Sequence, residues 1–243
     1  MKLKTLIALP LIALIAACSS GGGSGGGSTP TRPVVPASES IADLASFAAS
    51  GTKIVNARGI PTVKRSYEKD GKSQTVVLQG DQKVGLLTSG ETGSLAANRT
   101  LIGANKNARD VSSTGYYVGD ASGSLRMKTG QKTEAVHGTA SVGMDSSTGK
   151  WSFGADLWRD SGDSGIYVGA DNGTVDGNTM VFKGADSVVV DLSPTGTSRT
   201  AERAGSTMVF SDDAKNVFGK INGKNDATGF ALDAGFAGKH YTE

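Results

Sequence analysis

One cysteine in 243 residues, Cys18, excludes a disulfide framework, so the fold must rest on its own apolar core. Two histidines, His137 and His240, offer no His/Cys/Glu spacing for zinc and no basis for a Ser-His-Asp triad. There is no Gly-x-Ser-x-Gly elbow at a strand-to-helix turn and no phosphate-binding glycine loop. The carboxylates number 23, so their pairs carry no weight, and no catalytic or metal-ligating residue is assigned. The expectation is a protein without cofactor that is not an enzyme. The one long apolar run, Leu6 to Ala17, is shorter than the roughly 20 residues of a membrane-spanning helix. Seven Phe, five Tyr and two Trp stand against 35 Gly. That balance suits many short strands and tight turns better than a helical bundle.

What the chain does have begins at its start. Lys2 and Lys4 precede the apolar run, which is broken only by Pro10. This is the layout of a secretory signal. Ile15-Ala16-Ala17-Cys18 resembles the lipobox of bacterial lipoproteins, with cleavage expected after Ala17. By that resemblance Cys18 carries a thioether-linked diacylglycerol and an amide-linked acyl chain such as palmitate. Two or more chains hold a protein on a membrane where one holds it only marginally. Residue 19 is Ser rather than Asp, which in that family points to the outer membrane. All 23 acidic residues follow Cys18, and only Lys2 and Lys4 of the 25 basic ones precede it. The mature body is therefore electrically balanced, which argues against a nucleic-acid partner or a polybasic membrane patch.

Residues 18–40 read as a tether: GGGSGGGS is a flexible coil, and Pro30, Pro33 and Pro36 make a stiffer spacer. Ser38 to Gly51 predicts one short helix, capped by Ser38 or Ser40, with Ile41, Leu44, Ala45 and Ala48 on one face and Gly51 ending it in a left-handed conformation. Residues 41–115 are expected to hold this helix and a β-rich region. Ile54-Val55, Val63–Tyr67, Thr75–Leu78, Val84–Leu87 and Leu101-Ile102 are its candidate strands, and 88–114 is its expected long loop. From 116 to 243 alternation with period two is clearer. Val136–Met144, Trp151–Leu157, Ile166–Val168, Met180–Phe182, Val188–Val190, Met208–Phe210, Val217–Ile221 and Phe230–Phe236 form a series. Turns are expected between them at Gly162-Asp163, Asp171–Gly173, Gly177-Asn178, Asp212-Asp213 and Asn222–Asn225. The fold class expected is all-β: a small antiparallel eight-stranded β-barrel at the C-terminus, its interior filled by side chains, preceded by a β-rich region and one N-terminal helix.

Several stretches carry a family resemblance. Gly138-Thr-Ala-Ser-Val-Gly-Met-Asp leads through a turn into Gly149-Lys-Trp-Ser-Phe-Gly-Ala-Asp-Leu. GTVDGNTMVFKG (173–184), Val217-Phe-Gly-Lys-Ile and GFALDAGFAGK (229–239) follow. With the lipobox and tether, these resemble the transferrin-binding protein B group of surface lipoproteins and the related factor H binding protein and haem-receptor lipoproteins. The likeness covers the leader and residues 136–243; the length allows at most one handle-and-barrel lobe. It implies a lipid-anchored protein of the cell surface that captures a host protein or an iron or haem source on loops of a rigid barrel; a monomer is expected. It names no ligand-binding residue here. The alternative is a periplasm-facing structural or assembly lipoprotein working with an outer-membrane partner.

Other features have two readings each. A haem would need His137 or His240 as an axial ligand, against two exposed histidines. Asp160-Ser-Gly-Asp163 and Asp171-Asn-Gly-Thr-Val-Asp176 are dense in oxygen donors but lack the calcium-loop pattern, and read as hairpin turns. Tyr116, Tyr117, Tyr167 and Trp158 could form an exposed aromatic patch or pack in the core. Lys53, Arg58, Lys64, Arg65, Lys69 and Lys72 make 53–72 mildly basic, as a steering surface or a solvated strand face.

Overall fold

A computed structural model describes residues 34–56, 58–108, 115–145, 147–162, 164–184, 187–192, 201–202 and 204–241. Cys18, the leader and most of the tether lie outside the described residues.

The helix, α1, spans Ile41–Ala49. The Ser40 hydroxyl caps it by accepting from the Asp43 N–H at 3.2 Å. The Asp43 carboxylate in turn accepts from the Ser40 hydroxyl at 3.0 Å and from Ser38. Leu44, Ala45, Phe47 and Ala48 are buried, whereas Ile41 stays half exposed. Leu44 and Phe47 each contribute about 2 kcal/mol by leaving water. Gly51 does not end the helix in a left-handed conformation; Ser50 is the C-cap, with φ −89° and ψ 7°, and has no left-handed turn. Gly51 is needed for close approach instead, since a Cβ there would sit 2.4 Å from the Lys64 carbonyl oxygen. Bonds from Ser38 first, then Ser40, hold the Asp43 carboxyl below the usual carboxylate range. A depressed value gives stability that is full above the ordinary range and is lost as pH falls through the depressed one. Thermal melting of Asp43→Asn and wild type should therefore differ at neutral pH and converge as pH falls through the depressed value. A constant gap would show that these bonds do not depend on the charge.

Five antiparallel strands follow in sheet order: β1 (Thr52–Val55), β2 (Pro61–Lys69), β3 (Lys72–Gly80), β4 (Gly85–Glu91) and β5 (Asn98–Ile102). Asp70 and Gly71, with φ of 50° and 74°, make the two-residue primed turn between β2 and β3. The expected loop at 88–114 is partly strand, because β4 runs on to Glu91 and β5 pairs with it. Successive residues on β4 point to opposite faces. Leu87 packs with α1, Val76 and Leu78, whereas Leu86 packs with Ile60, Val84, Val209, Phe218 and Ala237. The sheet is thus covered on both faces, by the helix on one and by the barrel on the other.

The barrel strands are β6 (Tyr116–Arg126), β7 (Glu134–Asp145), β8 (Lys150–Arg159), β9 (Gly165–Asp176), β10 (Thr179–Phe182), β11 (Ser187–Asp191), β12 (Ala201–Glu202), β13 (Ala204–Phe210), β14 (Asn216–Asn225) and β15 (Phe230–His240). β10 and β11 occupy the same edge of β9 one after the other; β13 pairs with β10 and β12 with β11. These four segments are two broken strands, so the ring has eight positions, closed where β15 meets β6 and β9 meets β10. Residues facing inward, among them Trp151, Phe153, Phe182, Phe210 and Phe236, form one continuous buried core.

Two expected turns are corrected. Asn222–Asn225 are the last residues of β14, paired with Phe230–Asp233, and that pairing outweighs their turn-like composition. Asp171–Gly173 lie within β9, where a one-residue register shift and Asn172 at φ 57° mark a bulge rather than a hairpin.

Candidate functional site

The five-stranded sheet covers the barrel at β13, β14 and β15. β8 lies four positions from β14 in either direction round the ring, so its outer face looks the opposite way. There the alternation that buries Trp151, Phe153, Ala155 and Leu157 turns Asp156 and Trp158 outward. On β9 it turns Tyr167 and Asp171 outward, and on β11 Val188. Register places Tyr167 directly beside Asp156, Trp158 beside His137, and Val188 beside Gly169. Trp158 is 44 % exposed, Val188 39 % and Tyr167 37 %, so these side chains stand on the outer face of the barrel rather than in its core. Carboxylates edge them: Asp156 and Asp171, and Asp160, which meets the His137 Nδ1 at 2.8 Å. The Tyr167 hydroxyl is held above its ordinary range, first by partial burial of the ring and then by the charges of Asp156 and Asp171. It is therefore a neutral donor at physiological pH.

The four aromatics singled out by sequence separate. Tyr117 is fully buried, donating to the Ala214 carbonyl at 2.7 Å, while Tyr116 is exposed and meets Tyr241 edge-on at 6.3 Å. Only Trp158 and Tyr167 share a face. The histidines do not converge either. His240 pairs with Tyr117 and His137 with Ser122, five residues apart along β6 and on opposite sides of it, roughly 17 Å by strand rise. They cannot bind one iron. Among the described residues no group of three or more His, Cys, Asp or Glu is arranged to hold a metal ion.

Three of the six basic residues of the stretch are paired with acids. Arg58 pairs with Asp120 at 2.8 Å, Lys69 with Glu39 at 2.5 Å and Lys72 with Glu91 at 2.8 Å. The Arg65 guanidinium lies 4.3 Å from the Phe47 ring centre. A cleft of about 450 Å³ opens between α1, the sheet and Lys220. Its other charges, Glu39 and Arg99, are engaged by Lys69 and Asp233.

Fold and surface together define an all-β protein: a closed eight-stranded barrel carrying a helix-covered five-stranded sheet. No family model matches the chain, and no curated protein matches it. Two solved structures are similar in part. A double mutant of the vaccine antigen transferrin-binding protein B from Haemophilus parasuis Hp5 aligns with TM-score 0.46 and 12 % identity over 75 % of this chain. The alignment spans 37 % of that chain. A protein of unknown function from the DUF3598 family of Nostoc punctiforme PCC 73102 aligns with TM-score 0.28 and 10 % identity. It covers 79 % of this chain and 75 % of that one.

Proposed function

We propose that this protein is a lipid-anchored binding protein of the bacterial outer membrane that faces outward and captures a host protein or an iron or haem source without catalysis. The observation that carries the reading is the exposed aromatic face of β8, β9 and β11, turned away from the covering sheet on a barrel whose interior is filled by side chains. A ligand has no room inside such a barrel, so recognition belongs to its outer surface and loops. The leader and tether support the display: Cys18 would enter the membrane through its acyl chains, and about twenty residues would hold the body away from the lipid.

Protease shaving of intact cells, with a periplasmic control, tests the orientation. The body should disappear while the control survives. Protection until the outer membrane is broken would overturn outward display and favour a periplasmic assembly role. Cys18→Ser should abolish incorporation of labelled palmitate and move the protein from the membrane to the soluble fraction. Retention of both label and membrane association would remove Cys18 as the anchor.

A further inference from the structure

Both aromatic rings of the outer face lie across glycines of the sheet beneath them. A Cβ on Gly169 would sit 2.7 Å from the Tyr167 ring, and one on Gly154 3.1 Å from its hydroxyl. A Cβ on Gly165 would sit 3.1 Å from the Trp158 ring. Side chains larger than hydrogen at these three places would push the rings off the surface. With glycine there, the rings rest on the backbone and turn their other faces to solvent.

Asp156 is the neighbour of both rings. It stands directly across from Tyr167, where opposed side chains are about 5 Å apart, and two residues from Trp158 on the same face. Neither Asp156 nor Asp171 forms an ion pair among the described residues. Open π-faces beside unpartnered carboxylates fit a planar cation: it can stack on a ring and give its N–H groups to the carboxylate. Guanidinium suits this better than ammonium, being flat, less strongly hydrated and forked.

We propose that the Trp158–Tyr167–Asp156 face docks an arginine-bearing basic segment of a protein partner. The guanidinium lies against Trp158 or Tyr167, Asp156 accepts from it, Asp171 draws in the flanking positive charge, and Val188 extends the apolar contact. Attraction to such a segment is local, because the body after Cys18 is electrically balanced and does not favour cations at long range. The inference deepens the binding role proposed above, and the two fail separately: docking is measured on the purified protein, display on cells.

The experiment titrates the full chain with hexa-arginine, hexa-lysine and hexa-glutamate peptides by calorimetry at low and high salt. Hexa-arginine should bind more tightly than hexa-lysine and lose affinity with salt, while hexa-glutamate should not bind. Trp158→Ala and, separately, the pair Asp156→Asn with Asp171→Asn should each weaken hexa-arginine about tenfold. All three residues are exposed, so melting temperatures should be unchanged and a loss of binding reports the surface. Equal affinity of wild type and variants, or hexa-glutamate binding as tightly as hexa-arginine, would overturn the proposal whatever the shaving result.

Discussion

Phe236→Ala is expected to destabilise the protein by about 3–5 kcal/mol, the cost of emptying a well-packed aromatic site. Phe236 is fully buried on β15. Its ring centre lies 6.3 Å from that of Phe153 across the barrel. Glycines make the room it fills: a Cβ on Gly219, its partner on β14, would come within 2.9 Å of the ring, and one on Gly238 within 2.6 Å. Neither glycine has a side chain that could swing into the space, so the cavity would persist rather than collapse. Native domains hold only about 5–15 kcal/mol in total, so this one change removes a large share. Urea unfolding should show a lower midpoint with unchanged slope, and melting should fall by roughly 6–20 °C. Val188→Ala, on the exposed outer face, should stay within about 0.5 kcal/mol of wild type. A loss under about 1 kcal/mol for Phe236→Ala would mean that the barrel is not packed around this ring.

What could be read before the fold was known follows from the range of the forces involved. The cap of α1 is legible because Ser40 and Asp43 meet within one turn. The alternation of β8 is legible because buried and exposed positions simply take turns along it. It also bears on Tyr116 and Tyr117, which as strand neighbours must point to opposite faces and cannot share a patch. Long-range features leave no local trace. Polar Asn222–Asn225 belong to β14 only because Phe230–Asp233 lie opposite. Met180–Phe182 and Val188–Val190 read as two strands, yet they run along one edge of β9, and the eighth position of the ring is taken by β6. The stacking of sheet on barrel depends on pairs such as Arg99 and Asp233, 134 residues apart. The aromatic face needs Gly154, Gly165 and Gly169 beneath its rings, which composition presents merely as abundant glycine.

Asn178 gives the second large effect, because it ties the two parts of the fold together. It is 2 % exposed, in the turn between β9 and β10. Its amide donates to the Gly103 carbonyl at 2.8 Å and to the Phe210 carbonyl at 3.1 Å. Its side-chain oxygen accepts from the Asn105 N–H at 2.8 Å. Gly103 and Asn105 lie in the chain leaving β5, and Phe210 ends β13, so one side chain bridges the sheet's exit to the barrel. Asn178→Ala strands the buried Phe210 carbonyl and takes a partner from the half-buried Gly103 carbonyl and Asn105 N–H, at a cost of about 2–4 kcal/mol. Asn178→Asp keeps the shape but replaces two donors with a carboxylate facing two carbonyl oxygens. The charged form is disfavoured there, so its folded pKa rises above the unfolded one. For an acid raised in this way the penalty is absent well below the unfolded pKa and grows as pH climbs toward the folded one. Asn178→Asp should therefore approach Asn178→Ala in acid and fall below it at neutral pH, as read by urea midpoints across that range. If the two variants instead keep a constant gap at every pH, the donors of Asn178 are not what joins sheet to barrel, and the apolar contact of Leu86 with Val209, Phe218 and Ala237 must suffice alone.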